Sequence, residues 1–164
     1  MHKTLLCSGL LAALSVPVHA DPLTIHGADI SRELPCHGRD VDITGSGNRI
    51  QLRGDCGAVV VHGSDHQVTL ENAAALDISG VDNQVRAGTL GRLVVATSGN
   101  RVVATLRAAE QPAEIEVTGA EHVLDLRFDG PAKVDLSGAD NQLDWQGQEP
   151  LIETVGVGHR IGQR

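Results

Sequence analysis

Apolar and polar residues alternate along many short segments of the chain. In the stretch VDITGSGNRIQL, Val41 and Ile43 point to one side and Asp42 points to the other, and Ile50 and Leu52 repeat the pattern. Alternation with a period of two residues predicts β-strands rather than helices. The segments are about five residues long and are separated by Gly, Ser, Asp and Asn, which favour turns. The pattern therefore predicts an all-β protein.

The same stretch recurs along the chain at a nearly constant period. A glycine column reads Gly45, Gly63, Gly80, Thr97, Gly119, Gly138 and Gly156. Three residues later, a second column reads Asn48, His66, Asn83, Asn100, His122, Asn141 and His159. Successive copies start 17 to 22 residues apart, and LTIHGADI around Gly27 is a degenerate eighth copy. A regular period of this length predicts a repeat architecture.

A parallel β-solenoid of about seven rungs, with two short strands per rung, explains this recurrence best. One repeat cannot bury its apolar face alone, whereas stacked rungs place identical positions on top of each other. An antiparallel sandwich or barrel also has many short strands, but it gives no reason for the same residue types to recur. Parallel strands usually connect by right-handed crossovers, so a right-handed β-helix is expected.

These motifs carry a resemblance to a known family. The G-x-x-N-x-[VI] repeats, with C-x-G-x-D-V-x-I-x-G-x-x-N-x-I at Cys36 to Ile50, resemble an uncharacterised bacterial family of exported repeat proteins. The family is classed as a domain of unknown function. The resemblance covers about Leu23 to Ile161, and it departs from the pattern at Thr97 and at the three histidines of the second column. It implies export and a β-solenoid, and it brings no catalytic residues.

The N-terminus has the pattern of a secretory signal peptide. Lys3 is followed by an apolar run from Leu5 to Val16, and Ala20 ends a cleavage motif. This predicts a signal peptide over residues 1–20, cleaved after Ala20, and a single domain over 21–164 with an N-terminal cap region at 21–40. The apolar run is short for a membrane span. The expected location is the periplasm or the outside of the cell, without membrane insertion.

The two cysteines that follow the predicted signal peptide, Cys36 and Cys56, are expected to form a disulfide. An even number of cysteines in an exported protein favours pairing. Both precede the first strand of a repeat, one rung apart, and stacking brings such positions within bonding distance.

Charge and composition exclude some partners. Without residues 1–20, 12 basic residues face 21 acidic ones, which gives a net charge of −9. Nucleic-acid binding requires a basic surface, so it is not expected. Phe128 and Trp145 are the only aromatic residues. The core must therefore consist of Val, Leu, Ile and Ala.

Both columns have structural explanations. Glycine adopts the positive φ that a sharp corner needs. Asn and His tolerate left-handed geometry, and both donate and accept hydrogen bonds, so a stacked column can bond along the solenoid. The predicted structural turn residues are Gly45, Asn48, Gly63, His66, Gly80, Asn83, Asn100, Gly119, His122, Gly138 and Asn141.

Candidate chemistry is sparse. Asp65 and Asp82 lie on adjacent rungs and can bracket Ca²⁺, but Asp is also a common turn residue. Glu116 and Asp135 are also on adjacent rungs, at a spacing that fits a retaining glycosidase. An exposed column of charged residues explains them better, and the chain has almost no insertions to build a cleft. No metal or other cofactor is expected.

The sequence therefore favours a non-enzymatic exported scaffold or binding module. The outward positions of the second strands carry Arg49, Gln67, Gln84, Arg101 and Gln142, a regular face on which an envelope or extracellular polysaccharide could lie. One alternative is a small carbohydrate-active enzyme that uses Glu116 and Asp135. Another is a self-assembling envelope protein, because an uncapped last rung invites end-to-end pairing.

Overall fold

The computed structural model describes residues 21–164 as a parallel β-solenoid of eight rungs without helices. The predicted signal peptide, residues 1–20, lies outside the described residues. Within 21–164, no helix is long and apolar enough to cross a membrane. The strands are β1 Leu23–Ala28, β2 Ser31–Pro35, β3 Val41–Ser46, β4 Arg49–Ser64, β5 Gln67–Val81, β6 Gln84–Ser98, β7 Arg101–Arg107, β8 Ala113–Ala120, β9 Val123–Asp129, β10 Ala132–Ala139, β11 Gln142–Gly147, β12 Leu151–Val157 and β13 Arg160–Gln163.

Two faces of stacked strands enclose the core. The first face runs through β1, β3, the later halves of β4, β5 and β6, and then β8, β10 and β12. The second face runs through β2, the early parts of β4, β5 and β6, and then β7, β9, β11 and β13. All pairs are parallel, so the predicted solenoid is confirmed, with the degenerate copy around Gly27 forming rung 1.

A third side, formed by the middle parts of β4, β5 and β6, connects the second face of one rung to the first face of the next at three places. Strands β4, β5 and β6 are 16, 15 and 15 residues long because pairing continues from the second face into the first face of the next rung. Asp55 pairs with Asn72, and Ala58 pairs with Ala75. This side has small residues and little alternation, which is why the sequence predicts only two strands per rung.

Inward residues stack in continuous apolar columns. One column on the first face is fully buried and reads Ile25, Ile43, Val61, Ile78, Val95, Val117 and Leu136. Phe128 and Trp145 fill the core of rungs 6 and 7, with ring centroids 6.3 Å apart. Burial of these side chains drives the stacking, because no rung can bury its own apolar face.

Cys36 and Cys56 form the predicted disulfide. Their Cα atoms are 4.9 Å apart, and both side chains are buried. The bond joins the ends of rungs 1 and 2. It is compatible with an oxidising location such as the periplasm or the extracellular space.

Candidate functional site

The outward positions of the second face form two neighbouring columns. Arg49, Gln67, Gln84 and Arg101 follow one another on rungs 2 to 5 and are exposed. Neighbouring parallel strands lie about 4.8 Å apart, so Arg49 and Arg101 are separated by roughly 14 Å. The column that begins with Arg49 therefore presents a regular polar surface along half of the solenoid.

The second column turns this surface into a shallow groove of about 330 Å³. Gln51, Thr69 and Arg86 lie two residues after the first column and face the same side. We call this concavity the arginine groove and define it by Arg49, Gln51, Gln67, Gln84 and Arg86, which all line it. Gln51 and Arg86 are not among the candidate binding residues predicted from the sequence, although the alternation of apolar and polar positions places both on the outer surface.

Carboxylates do not neutralise the two arginines that define the groove, nor Arg101, which continues the first column beyond it. Within residues 21–164, none of Arg49, Arg86 and Arg101 forms an ion pair. Arg49 Nε donates to Gln67 Oε1 at 3.3 Å. Glu33 also lines the groove, but it pairs with Arg53 at 2.7 Å. The groove thus presents guanidinium groups that no carboxylate neutralises, beside neutral amides.

The far end of the second face has the opposite character. Asp125 and Asp144 lie on rungs 6 and 7, and the Arg164 guanidinium bridges them at 2.7 and 2.8 Å. Gln142 is half-buried, and its Nε2 donates to Asp144 Oδ2 at 2.9 Å. This hydrogen bond from Gln142, together with Arg164, lowers the pKa of Asp144 below its usual value. Gln142 therefore lies apart from the arginine groove, in an acidic region that is internally paired.

The carboxylates of Glu116 and Asp135 face outward on neighbouring rungs of the first face. Lys133 Nζ lies 3.2 Å from Asp135 and 3.2 Å from Glu153, and these carboxylates, with Asp135 first, raise the pKa of Lys133. The residues around the pair line a hollow of about 160 Å³. The arrangement is that of exposed ion pairs on an open sheet.

The second column of the repeat forms a buried hydrogen-bonded ladder. On rungs 1 to 6, the backbone N–H at the column position donates to the side chain one rung further on, and each of the six acceptors is fully buried. The bonds run from Ile30 to Asn48, then to His66, Asn83, Asn100, His122 and Asn141, at 2.9 to 3.2 Å. Asn amides also donate to carbonyls, as Asn83 Nδ2 does to Gly63 at 3.1 Å. The ladder satisfies polar backbone groups that the corner would otherwise bury unpaired.

The ladder fixes the tautomer of its two fully buried histidines. Nδ1 of His66 accepts from Asn48 N–H, and Nδ1 of His122 accepts from Asn100 N–H. Each Nε2 therefore carries the proton and donates to a carbonyl four residues back, at 3.2 Å. Burial lowers the pKa of His122 below its ordinary value of 6.5, and the bond to Thr118 only partly opposes this. Both nitrogens of each ring are engaged, so neither ring is free to bind a metal.

Asp65 and Asp82 occupy a turn position that has the same conformation in all eight rungs. Their φ angles are 59° and 58°, and the equivalent residue of each of the other six rungs is left-handed as well. Asp tolerates this geometry better than most residues. In the nearby His62–His66 segment, His62 points outward to Ser79, whereas His66 points into the ladder. Among residues 21–164, no group of three or more His, Cys, Asp or Glu side chains could hold a metal ion.

These features define a parallel β-solenoid with an internal Asn/His ladder and a groove lined by arginines. Residues 43–101 match the model of a family described as "Protein of unknown function (DUF3060)". The matched segment covers part of rung 2 to the start of the second strand of rung 5, and therefore all five residues that define the arginine groove. Neither a curated protein nor a solved structure matches the chain.

Proposed function

We propose that the protein is an exported, non-enzymatic binding module that holds an acidic polymer, such as a uronate-containing glycan, in the arginine groove. The observation that carries this proposal is a set of guanidinium groups without an ion pair on one face, those of Arg49 and Arg86 in the groove and that of Arg101 beside it. Guanidinium groups bind carboxylates through two parallel hydrogen bonds. Gln51, Gln67 and Gln84 add neutral donors and acceptors for sugar hydroxyls.

The negative net charge of the chain does not prevent such binding. Charges more than about 8 Å away are largely screened at physiological ionic strength. Near the groove, Glu33 is already paired with Arg53, and Asp125 and Asp144 lie two and three rungs beyond Arg86. A polymer in the groove therefore meets mainly the local cations.

The proposal also includes export of the protein to the periplasm or the outside of the cell. The signal-peptide pattern of residues 1–20 and the buried disulfide support this part of the proposal. Export would bring the arginine groove into contact with envelope or extracellular glycans. Fractionation of the producing cell would test it, because a cytoplasmic protein that keeps residues 1–20 would contradict the proposal.

The test measures retention on immobilised polyuronate and on a neutral glucan, at low and high salt. We expect retention on the polyuronate only, and we expect it to weaken as salt rises. A triple variant with Arg49→Gln, Arg86→Gln and Arg101→Gln should lose about tenfold or more in affinity. The matched control, Arg92→Gln, Arg107→Gln and Arg127→Gln, makes the same change in charge at arginines that are already ion-paired.

Equal losses of affinity in the two triple variants would mean that binding depends only on the overall charge of the protein. The groove would then not be the binding site. The same incubations should be examined for shortened chains. If the protein shortens a polymer, and the double variant Glu116→Gln with Asp135→Asn no longer does so, the protein is a carbohydrate-active enzyme and this proposal is wrong.

A further inference from the structure

Large apolar side chains are exposed mainly on the last rung. Leu151, Val155, Val157 and Ile161 are 60%, 72%, 70% and 41% exposed. Three of them point outward, because they stack on the outward Lys133, Ser137 and Ala139 of rung 7. These three side chains are therefore exposed because they face outward, and not only because no further rung covers the core among the described residues. The outer surface itself becomes apolar at this rung.

The same rung has an unpaired sheet edge among the described residues. Strand β12 pairs with β10, and β13 pairs with β11, each on one side only. The last link of the ladder joins His122 to Asn141, and Nδ1 of His159, the acceptor that would continue it from Asn141, is buried without a hydrogen-bond partner in residues 21–164. An apolar edge with free N–H and C=O groups is a template for pairing with another strand.

The N-terminal edge is a poor partner for this edge. If rung 1 of a second copy stacked on rung 8 in the register of the repeat, Arg32 would lie on the core column against Ile161. The ladder position of rung 1 is Ile30, whose side chain has no acceptor for the N–H of His159. A head-to-tail filament would thus bury a charge and an unsatisfied donor.

The C-terminal edge is complementary to itself. If two β12 strands pair antiparallel around a twofold axis at Thr154, Leu151 lies opposite Val157, and Glu153 lies opposite Val155. Apolar residues then meet apolar residues, and no like charges face each other. Residues 151–163 contain one acidic residue, Glu153, and one basic residue, Arg160, so this rung is locally neutral in a chain of net charge −8.

We propose that two copies of this chain associate through their last rungs, edge to edge and antiparallel, as a closed twofold dimer. Such an interface uses the same patch on both copies and stops at two. If the proposed function holds, the dimer places its two arginine grooves near opposite ends of a longer rod. Two grooves can then bind one polymer with higher avidity or bridge two polymers.

Sedimentation velocity of the purified protein from micromolar to near-millimolar concentration tests the dimer without any ligand. We expect a monomer–dimer equilibrium with no larger species. Val155→Lys with Val157→Lys should raise the dissociation constant about tenfold or more and leave the circular dichroism spectrum unchanged. Val103→Lys, at a 40% exposed valine in the middle of the second face, is the matched control and should leave the equilibrium unchanged.

A T154C variant tests the axis directly. Opposite residues of an antiparallel pair have Cβ atoms about 5 Å apart, so oxidation should link two copies through residue 154. A strict monomer throughout the concentration range overturns the proposal, as does a dimer unaffected by the paired lysine substitutions. Species that grow beyond two copies would indicate a head-to-tail filament and also overturn it. Because no polymer is present, these outcomes are independent of glycan binding.

Discussion

The backbone N–H of Asn100 donates to Nδ1 of His122 across 3.2 Å, from one rung to the next. The imidazole must be neutral to accept this bond, because a protonated ring would turn a donor toward a donor. Burial already lowers the pKa of His122, so the folded state takes up the proton less readily than the unfolded state. His122 therefore makes the stability of the solenoid sensitive to acid.

We predict that the contribution of His122 to stability is complete above about pH 6.5 and is lost as the pH falls toward the lowered folded pKa. The unfolded state binds more protons in that window, so the free energy of unfolding decreases. Urea unfolding at a series of pH values measures this. His122→Asn should make the pH dependence shallower, because asparagine occupies the equivalent position in four rungs and does not titrate. Equal pH slopes for the two proteins would contradict the prediction.

Asn83 is expected to be one of the least replaceable polar residues. It accepts from the N–H of His66 at 3.0 Å and donates to the Gly63 carbonyl at 3.1 Å. Asn83→Ala removes both bonds and leaves the N–H of His66 buried without its partner, at a cost of about 2 kcal/mol or more in the free energy of unfolding. The neighbouring Gln84→Ala, at an exposed position, should change it by less than about 0.5 kcal/mol. Similar losses in the free energy of unfolding for the two variants would mean that the ladder contributes no more to stability than an exposed side chain does.

The stacking could be predicted from the sequence because each rung repeats the same physical solution at the same place. Val41 and Val59 align for this reason, as do Asn48 and His66. The path of the ladder could not be predicted, because Asn donates and accepts in many geometries and a sequence does not fix which. The structure shows a consistent direction, in which the side chain of each rung accepts from the rung before it.

Other features lacked a sequence signal for a physical reason. Pairing such as that of Asp55 with Asn72 arises where small residues let the chain bend without leaving the sheet, and such segments show no alternation. The arginine groove depends on the curvature between two outward columns, so Arg86 could be assigned to a face but not to a concavity. The acidic end of that face depends on Arg164 folding back onto Asp144, a contact between residues 20 positions apart.

Thr97 occupies the glycine column at a cost. Its φ is 83°, against 117–140° for the seven glycines of the column. A β-branched residue rarely adopts a positive φ. We predict that Thr97→Gly stabilises the protein by about 1 kcal/mol, because relief of roughly 1–3 kcal/mol of strain exceeds the entropic cost of glycine. Thr69→Gly, at an exposed strand position, should be destabilising. Thermal unfolding distinguishes the two, and a lower melting temperature for Thr97→Gly would contradict the strain argument.

The opposite substitution should be severe. Gly80 has a φ of 140°, and a Cβ there would overlap the carbonyl oxygen of Gly63 on the rung below. We therefore predict that Gly80→Ala lowers the free energy of unfolding by on the order of 3 kcal/mol or more, since both strain and overlap arise. Gly54→Ala is the matched control, because Gly54 also has a positive φ, 76°, but no atom within 4 Å of the added methyl group. Equal losses in chemical denaturation would show that backbone strain alone decides, without the stacking contact.

The disulfide should stabilise the first rungs more than the rest of the solenoid. Cys36 and Cys56 are separated by 20 residues. Closing a loop of this size stabilises a folded protein by about 3 kcal/mol, because it restricts the unfolded chain. Replacing both cysteines with alanine keeps the buried site apolar and removes the covalent link. We expect a lower melting temperature and, in hydrogen exchange, faster opening of β1 and β2 than of β10 and β11. A variant that loses protection uniformly along the chain would instead mean that the rungs unfold as one unit, in which case the disulfide acts on the whole solenoid.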